Sequence, residues 1–200
     1  MVGEVPETRR EQAELARQYG IEGFCYWHYW FGNGRELLQR PFQEVLASGE
    51  PDFPFCLAWA NHSWEDKQFN KEGGNKMLME QLYPGDEDYI AHFNAVLPAF
   101  KDPRYIRVNG EPLFMIYAPM KVPDIAHFIE LWQKLAEPHG FRIHFVGHTS
   151  KTEELPLFRQ WGFNATNLVR LFDVFQKNYS LLGRIKTKFQ RITSGTKNRL

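Results

Sequence analysis

Two hundred residues, 43% of them hydrophobic and 24% charged, fit one soluble globular domain able to bury a core and exclude a disordered chain. Lysine plus arginine balances aspartate plus glutamate, 24 against 24, which removes any general electrostatic case for a nucleic-acid or membrane partner. Two cysteines make no disulfide framework, the opening MVGEVPETRR lacks an apolar signal core, and no apolar stretch reaches about 18 residues, so a cytoplasmic chain without a membrane span is expected.

The first predicted element is a helix over 7–19, in which Ala13, Leu15, Ala16 and Tyr19 form the apolar stripe and Gly20 is the stop. A strand over 21–27 follows and runs into Trp27, His28, Tyr29 and Trp30. After a helix over 34–48, the apolar run 53–60 gives a second strand that opens into Trp59, Asn61, His62, Trp64 and Glu65. Cys25 and Cys56 each sit inside one of these strands, where a thiol behaves as a small buried hydrophobe.

The insertion that follows holds a strand-like segment over 77–83, with Glu80, Gln81 and Tyr83. Asp86-Glu87-Asp88 spells the Asp-x-Asp of metal-dependent nucleotide-sugar enzymes, but it follows Pro84-Gly85 and opens a helix over 86–101. Acids there cap N–H groups and complement the dipole. A strand over 112–118, a helix over 123–138, a strand over 141–148 and a helix over 153–160 complete four βα units, and 162–165 begins a weaker fifth. In the 123–138 helix, Ile125, Phe128, Ile129, Trp132 and Leu135 recur at core spacing. Residues 172–182 carry no clear helix or strand signal, and 184–200 hold six basic residues and no acid. The expected division is a domain over 1–183 and a solvated basic tail over 184–200.

Strands apolar on both faces, such as 113–117, belong to parallel sheets in α/β proteins. The sheet is either open, with helices on both sides, or part of a (β/α)8 TIM-type barrel, for which about 250 residues are usual. In both architectures the carboxyl ends of the strands form the site. Trp27, His28, Tyr29, Trp59, Asn61, His62, Trp64, Tyr117 and His148 all fall there. Singly, each aromatic or histidine is more often a core residue; their shared position is the signal. Aromatic faces suit pyranose rings while Asn, His and Glu suit hydroxyls, so a sugar or glycan substrate is favoured over a phosphate. Zinc held by His28, His62 and His148 ranks lower, because no two share a ligand-type spacing; no metal or cofactor is expected. Glycosidic chemistry needs paired carboxylates, and Glu80 and Glu65 are the best candidates. The bland readings are a surface strand residue for Glu80 and a solvated loop charge for Glu65. The chain has no P-loop, GxGxxG or GxSxG string.

The segments AELARQYGIEGFCYWHYWF, RPFQEVLASGEPDFPFCLAWANHSW, MEQLYPG and LPAFKDPRYIRVNGEPLFMIYAP resemble the glycosyltransferase WbsX-like family over roughly residues 12–119. That family is related to glycoside hydrolase family 99, endo-acting mannosidases on a (β/α)8 barrel, and is linked to O-antigen and other surface polysaccharide (lipopolysaccharide) synthesis. The resemblance implies a partial barrel acting on glycosidic bonds. By position, His28 and Tyr29 match the family's H-Y, Trp59, Asn61 and Trp64 its W-A-N-x-x-W, and Glu80, Gln81 and Tyr83 its E-Q-x-Y. Many members have Glu at the position of His62 and Arg at that of Ala118. A Y-x-P-Q-F-H type segment before Met1 and a W-D-N-T-P-R type segment before Leu200 are absent, and the related hydrolases carry their catalytic carboxylates on later strands. The resemblance therefore implies a truncated member, a neighbouring chain being one source of the missing strands. The rival expectations are a non-catalytic glycan-binding half-barrel and, third, a metal-dependent hydrolase.

Overall fold

The computed structural model describes residues 6–66 and 76–171. Helix α1 (Pro6–Gln18) ends where Gly20 turns left-handed and Ile21 N–H donates back to Ala16 O at 2.9 Å, a Schellman-type stop. Its buried side is Arg9, Ala13 and Ala16, against Phe53. Leu15 and Tyr19, expected on the stripe, are 56% and 79% exposed, so the apolar side is narrower than the spacing suggests.

Strand β1 (Phe24–Trp30) begins three residues later than expected and extends through the aromatic run. The delay has a steric cause. Gly23 passes so close to its neighbours that a Cβ there would lie 2.8 Å from Ile106 Cδ1 and 2.9 Å from Pro54 O, and 21–23 form an irregular link between the turn at 19–20 and the strand. The helix expected over 34–48 starts only at Arg40. Gly32, Asn33, Gly34 and Leu38 all take positive φ, and this turn folds β2 (Glu36–Leu37) antiparallel onto the end of β1. Helix α2 (Arg40–Ser48) follows with a proline in its first turn.

Next come β3 (Phe55–Trp59), β4 (Trp64–Asp66), β5 (Lys76–Met79) and α3 (Asp86–Phe100). Strands β4 and β5 pair with each other and stay outside the main sheet. A short hairpin then links β6 (Arg107–Val108) to β7 (Glu111–Ile116) through Asn109-Gly110, both at positive φ. An Asn-Gly pair between extended residues is the standard signal for such a turn, and it lies in plain view in the sequence. The described elements end with α4 (Ile125–Ala136), β8 (His144–Thr149), α5 (Leu155–Gln160) and β9 (Ala165–Leu168).

The sheet order is β2-β1-β3-β7-β8-β9, with β6 beside β7, and β1, β3, β7 and β8 run parallel. Period-2 alternation sends Tyr26, His28 and Trp30, with Phe55, Leu57, Trp59, Phe114, Ile116 and Phe145, to one face. The five helices among the described residues pack on that face. Phe42 of α2 touches Tyr26 and Phe55, Phe128 of α4 stacks on Trp59 at 5.4 Å, and Phe158 of α5 lies under Gly147. Trp132, fully buried, meets Phe114 at 4.9 Å and Phe128 at 4.7 Å.

One-sided helices decide between the two architectures. A doubly wound sheet carries helices on both faces, whereas a barrel wall carries them outside only. The molecule is thus α/β with the build of a partial barrel, unclosed among the described residues. The chain divides into two units, Met1–Asn167 and Leu168–Leu200. The segments 172–182 and 184–200 lie outside the described residues. Among those described, no helix is long and apolar enough to cross a membrane.

Candidate functional site

The sheet face that carries none of the described helices presents Cys25 and Trp27 from β1, Ala58 from β3, Met115 from β7 and His148 from β8. At its carboxyl end four of the expected residues meet. Tyr117, just past β7, is their centre. Its ring lies edge-on to Trp27 at 5.5 Å, tilted against His62 at 5.2 Å, and stacked on His148 at 4.9 Å and 24°. Trp27 and Tyr117 remain 48% and 37% exposed, so this end offers open aromatic faces. Asn167 of β9 completes the row, its Nδ2 lying 3.2 Å from His148 Nδ1. An amide nitrogen can only donate, which assigns the lone pair to Nδ1 and the N–H of His148 to Nε2. Burial lowers the His148 pKa, in keeping with that neutral ring.

Trp64 and Tyr29 form a second aromatic group. The Trp64 ring stands edge-on to Tyr29 at 5.3 Å and to Phe31 at 5.2 Å, seating β4 against the end of β1. Gln81 N–H donates to Ser63 Oγ and Leu82 N–H to Phe31 O, so the stretch after β5 is fastened to the same place. Glu65 on β4 and Glu80 just past β5 are both exposed. The Trp27, His62, Tyr117, His148 and Asn167 row itself contains no carboxylate.

Asn61 was expected to touch sugar hydroxyls, but the fold spends it elsewhere. It is completely buried. Its Nδ2 donates to Ala118 O at 2.9 Å and to Tyr83 Oη at 3.1 Å, and its Oδ1 accepts from Ala118 N–H at 2.7 Å. Tyr83 in turn donates to Asn61 O, and burial pushes its phenol up to about 12. Asn61 and Tyr83 thus form a latch between the ends of β3 and β7. Gln81, 9% exposed, donates from Nε2 to Leu82 O and belongs to the same fastening.

His28 and Trp59 also leave the expected site, because alternation turns both under the helices. Trp59 is 1% exposed, donates its indole N–H to Trp30 O at 2.9 Å and stacks on Phe128; no face remains for a sugar. His28 Nε2 lies 2.9 Å from His92 Nε2 inside the core. A zinc site of His28, His62 and His148 is accordingly ruled out by facing, and no group of three metal-ligating side chains occurs among the described residues. Asp88, the last acid of Asp-x-Asp, accepts from Trp30 Nε1 at 3.0 Å and Gly34 N–H at 3.2 Å. It serves the fold.

Sequence reasoning missed Asn167 and His92. Asn167 sits on the fifth strand, whose signal is weak, and only strand order could nominate it. His92 lies in the middle of a long helix and carries no local mark. A groove of about 670 Å³ runs beside α4, lined by residues such as Ile129, Gln133, Phe141 and Trp161. These flank the amino ends of β8 and β9, the opposite end from the Tyr117 row, so the groove is separate from the site.

Comparison with known proteins bears on the family and the fold. The family model described as glycosyltransferase WbsX matches residues 3–198. The uncharacterized protein WxcX of Xanthomonas campestris pv. campestris, in strains B100 and ATCC 33913, is 33% identical over 162 residues, 80% of this chain and 22% of the relative. Among solved structures, the GH99 endo-alpha-mannosidase from Bacteroides thetaiotaomicron is similar, with a TM-score of 0.55, 14% identity, and coverage of 83% of this chain and 44% of that one. A second structure of a GH99 endo-alpha-mannosidase from that genus, bound to bis-tris-propane, gives a TM-score of 0.51 and 16% identity over 83% and 47% of the two chains. At such identities the likeness concerns the fold, that of GH99 barrel enzymes. The chain spans about a fifth of the curated relatives' length and less than half of the solved ones.

Proposed function

Since the chain belongs to the glycosyltransferase WbsX family, a family of carbohydrate-active proteins, we propose that it acts on glycosidic bonds of surface polysaccharide, of O-antigen type, as a glycosyltransferase or glycoside hydrolase. The observation that carries this reading is the convergence of Trp27, His62, Tyr117, His148 and Asn167 at the carboxyl ends of the parallel strands. Trp27 and Tyr117 supply apolar ring faces for a pyranose. His148 Nε2–H is the donor aimed at a hydroxyl oxygen, its tautomer fixed by Asn167.

The first test is binding. Tyr117→Ala removes the ring that joins the row, and affinity for a panel of oligosaccharides that includes α-linked mannose should fall at least about tenfold, or 1.4 kcal/mol, by calorimetry. A binder in the panel whose affinity is unchanged in Tyr117→Ala would remove the row from the reading.

For the bond-breaking or bond-forming step we assign Glu80 as the carboxylate and Glu65 as its partner. Glu80→Gln should abolish glycan turnover while leaving sugar affinity intact; retained turnover would exclude Glu80. A second reading, a non-catalytic glycan-binding domain, is favoured by the lack of a carboxylate in the Tyr117 row. It expects wild-type binding without turnover, with Glu80→Gln and Glu65→Gln both indistinguishable from the wild type.

A further inference from the structure

Both cysteines were expected to be inert buried hydrophobes, and only Cys56 is buried; Cys25 is exposed. They stand opposite one another in the parallel register of β1 and β3. Neighbouring strands lie about 4.8 Å apart, within the roughly 4.4–6.8 Å between Cα atoms that a disulfide spans. In-register residues of adjacent strands project to the same face, so the two thiols are immediate neighbours.

We propose that Cys25 and Cys56 are a redox-active dithiol, which a small disulfide of the glutathione class oxidises to an intramolecular bridge between β1 and β3. The two thiols differ as such a pair requires. Cys25 is reachable, and the neighbouring Cys56 thiol lowers its pKa, so it is the attacking thiolate. Cys56 is held protonated by the nearness of Cys25 and by burial, and so waits. Cys25 Sγ attacks one sulfur of the small disulfide, forming a mixed disulfide and releasing one small thiolate. Once Cys25 is no longer a thiolate, its hold on the Cys56 proton is gone. Cys56 gives up that proton to solvent, attacks Cys25 Sγ and expels the second small thiolate. The two protein thiols are oxidised by two electrons, the small disulfide is reduced to two thiols, and the two protons pass to them.

The pair lies on the open face, two residues before Trp27 on β1. A bridge there pins β1 to β3 directly behind the exposed tryptophan.

The experiment treats the reduced full chain with excess oxidised glutathione and follows intact mass. The expected product has lost two hydrogens and carries no glutathione, and peptide mapping places the crosslink between Cys25 and Cys56. Cys56→Ser should stop at one glutathione on Cys25. A wild-type chain that keeps a stable glutathione adduct, or that does not react, overturns the proposal. The peptide map needs no variant, so a Cys56→Ser chain that fails to fold leaves the test intact.

Discussion

Replacing Asn61 by alanine will lower the stability of the chain by about 3 kcal/mol, read as a drop in the urea midpoint at constant slope. The side chain makes three hydrogen bonds from a fully buried position: two to Ala118, one as donor and one as acceptor, and one to Tyr83. Truncation leaves the Ala118 N–H and C=O without those partners, and each buried orphan costs about 1–3 kcal/mol. Asn61→Asp is the sharper variant, since it keeps the shape and the acceptor but loses both donations and buries a charge. It should destabilise at least as much. Because Ala118 follows Tyr117 directly, both variants should also weaken glycan binding under conditions where the chain remains folded. A midpoint within experimental error of the wild type would show that the latch is not holding the strand ends.

How much of this was legible depended on whether the sequence carried contrast. Helix α4 was readable because Ile125, Phe128, Ile129 and Trp132 recur at helical spacing beside polar neighbours, and all four are buried. Strand β1 offered no such contrast. In Phe-Cys-Tyr-Trp-His-Tyr-Trp both faces look apolar and aromatic, so nothing local says that Trp27 faces the open side and His28 the helices. That facing depends on which side the helices settle, a tertiary choice. The same uncertainty moved Trp59 and Asn61 from the expected site into the core and the latch, while His62, Tyr117 and His148 stayed. The family strings H-Y and W-A-N-x-x-W therefore hold residues that build the fold, His28, Trp59 and Asn61 among them. Residues 34–39 were misread as helix because propensity along the segment hid the turn set by Gly32 and Gly34.

The buried imidazole pair makes the chain acid-sensitive well before its carboxylates titrate. His28 Nε2 and His92 Nε2 are 2.9 Å apart, so one ring must donate and the other accept. Glu36 Oε1 lies 3.4 Å from His28 Nδ1, which favours a proton on that nitrogen. His92 then donates from Nε2 to His28, and both rings are neutral. Around His92, which is fully buried, the rings of Trp30, Trp59 and Trp132 stand within 5 Å, an apolar surrounding that disfavours a cation. Burial accordingly lowers the His28 pKa to about 4 and, with His28 alongside, that of His92 well below its usual value. A histidine whose folded pKa is depressed contributes stability that is fully present above its unfolded pKa, near 6.5. That stability is lost as pH falls toward the folded value, because only the unfolded chain takes up the proton. For His28 the loss is about 2 kcal/mol between pH 6.5 and 5 and about 3 kcal/mol by pH 4, and His92 adds in the same direction. Two groups oppose the trend: Glu36, raised by burial, and the exposed His127, raised by Asp86. Working between pH 7 and 5 keeps Asp102, which Arg104 holds low, out of the titration. The urea midpoint should fall steadily across that window in the wild type and less steeply in His28→Gln, whose amide does not titrate, the remaining slope coming from His92 and His148. A wild-type midpoint that stays level from pH 7 to 5 would mean that the pair is not held neutral in the core.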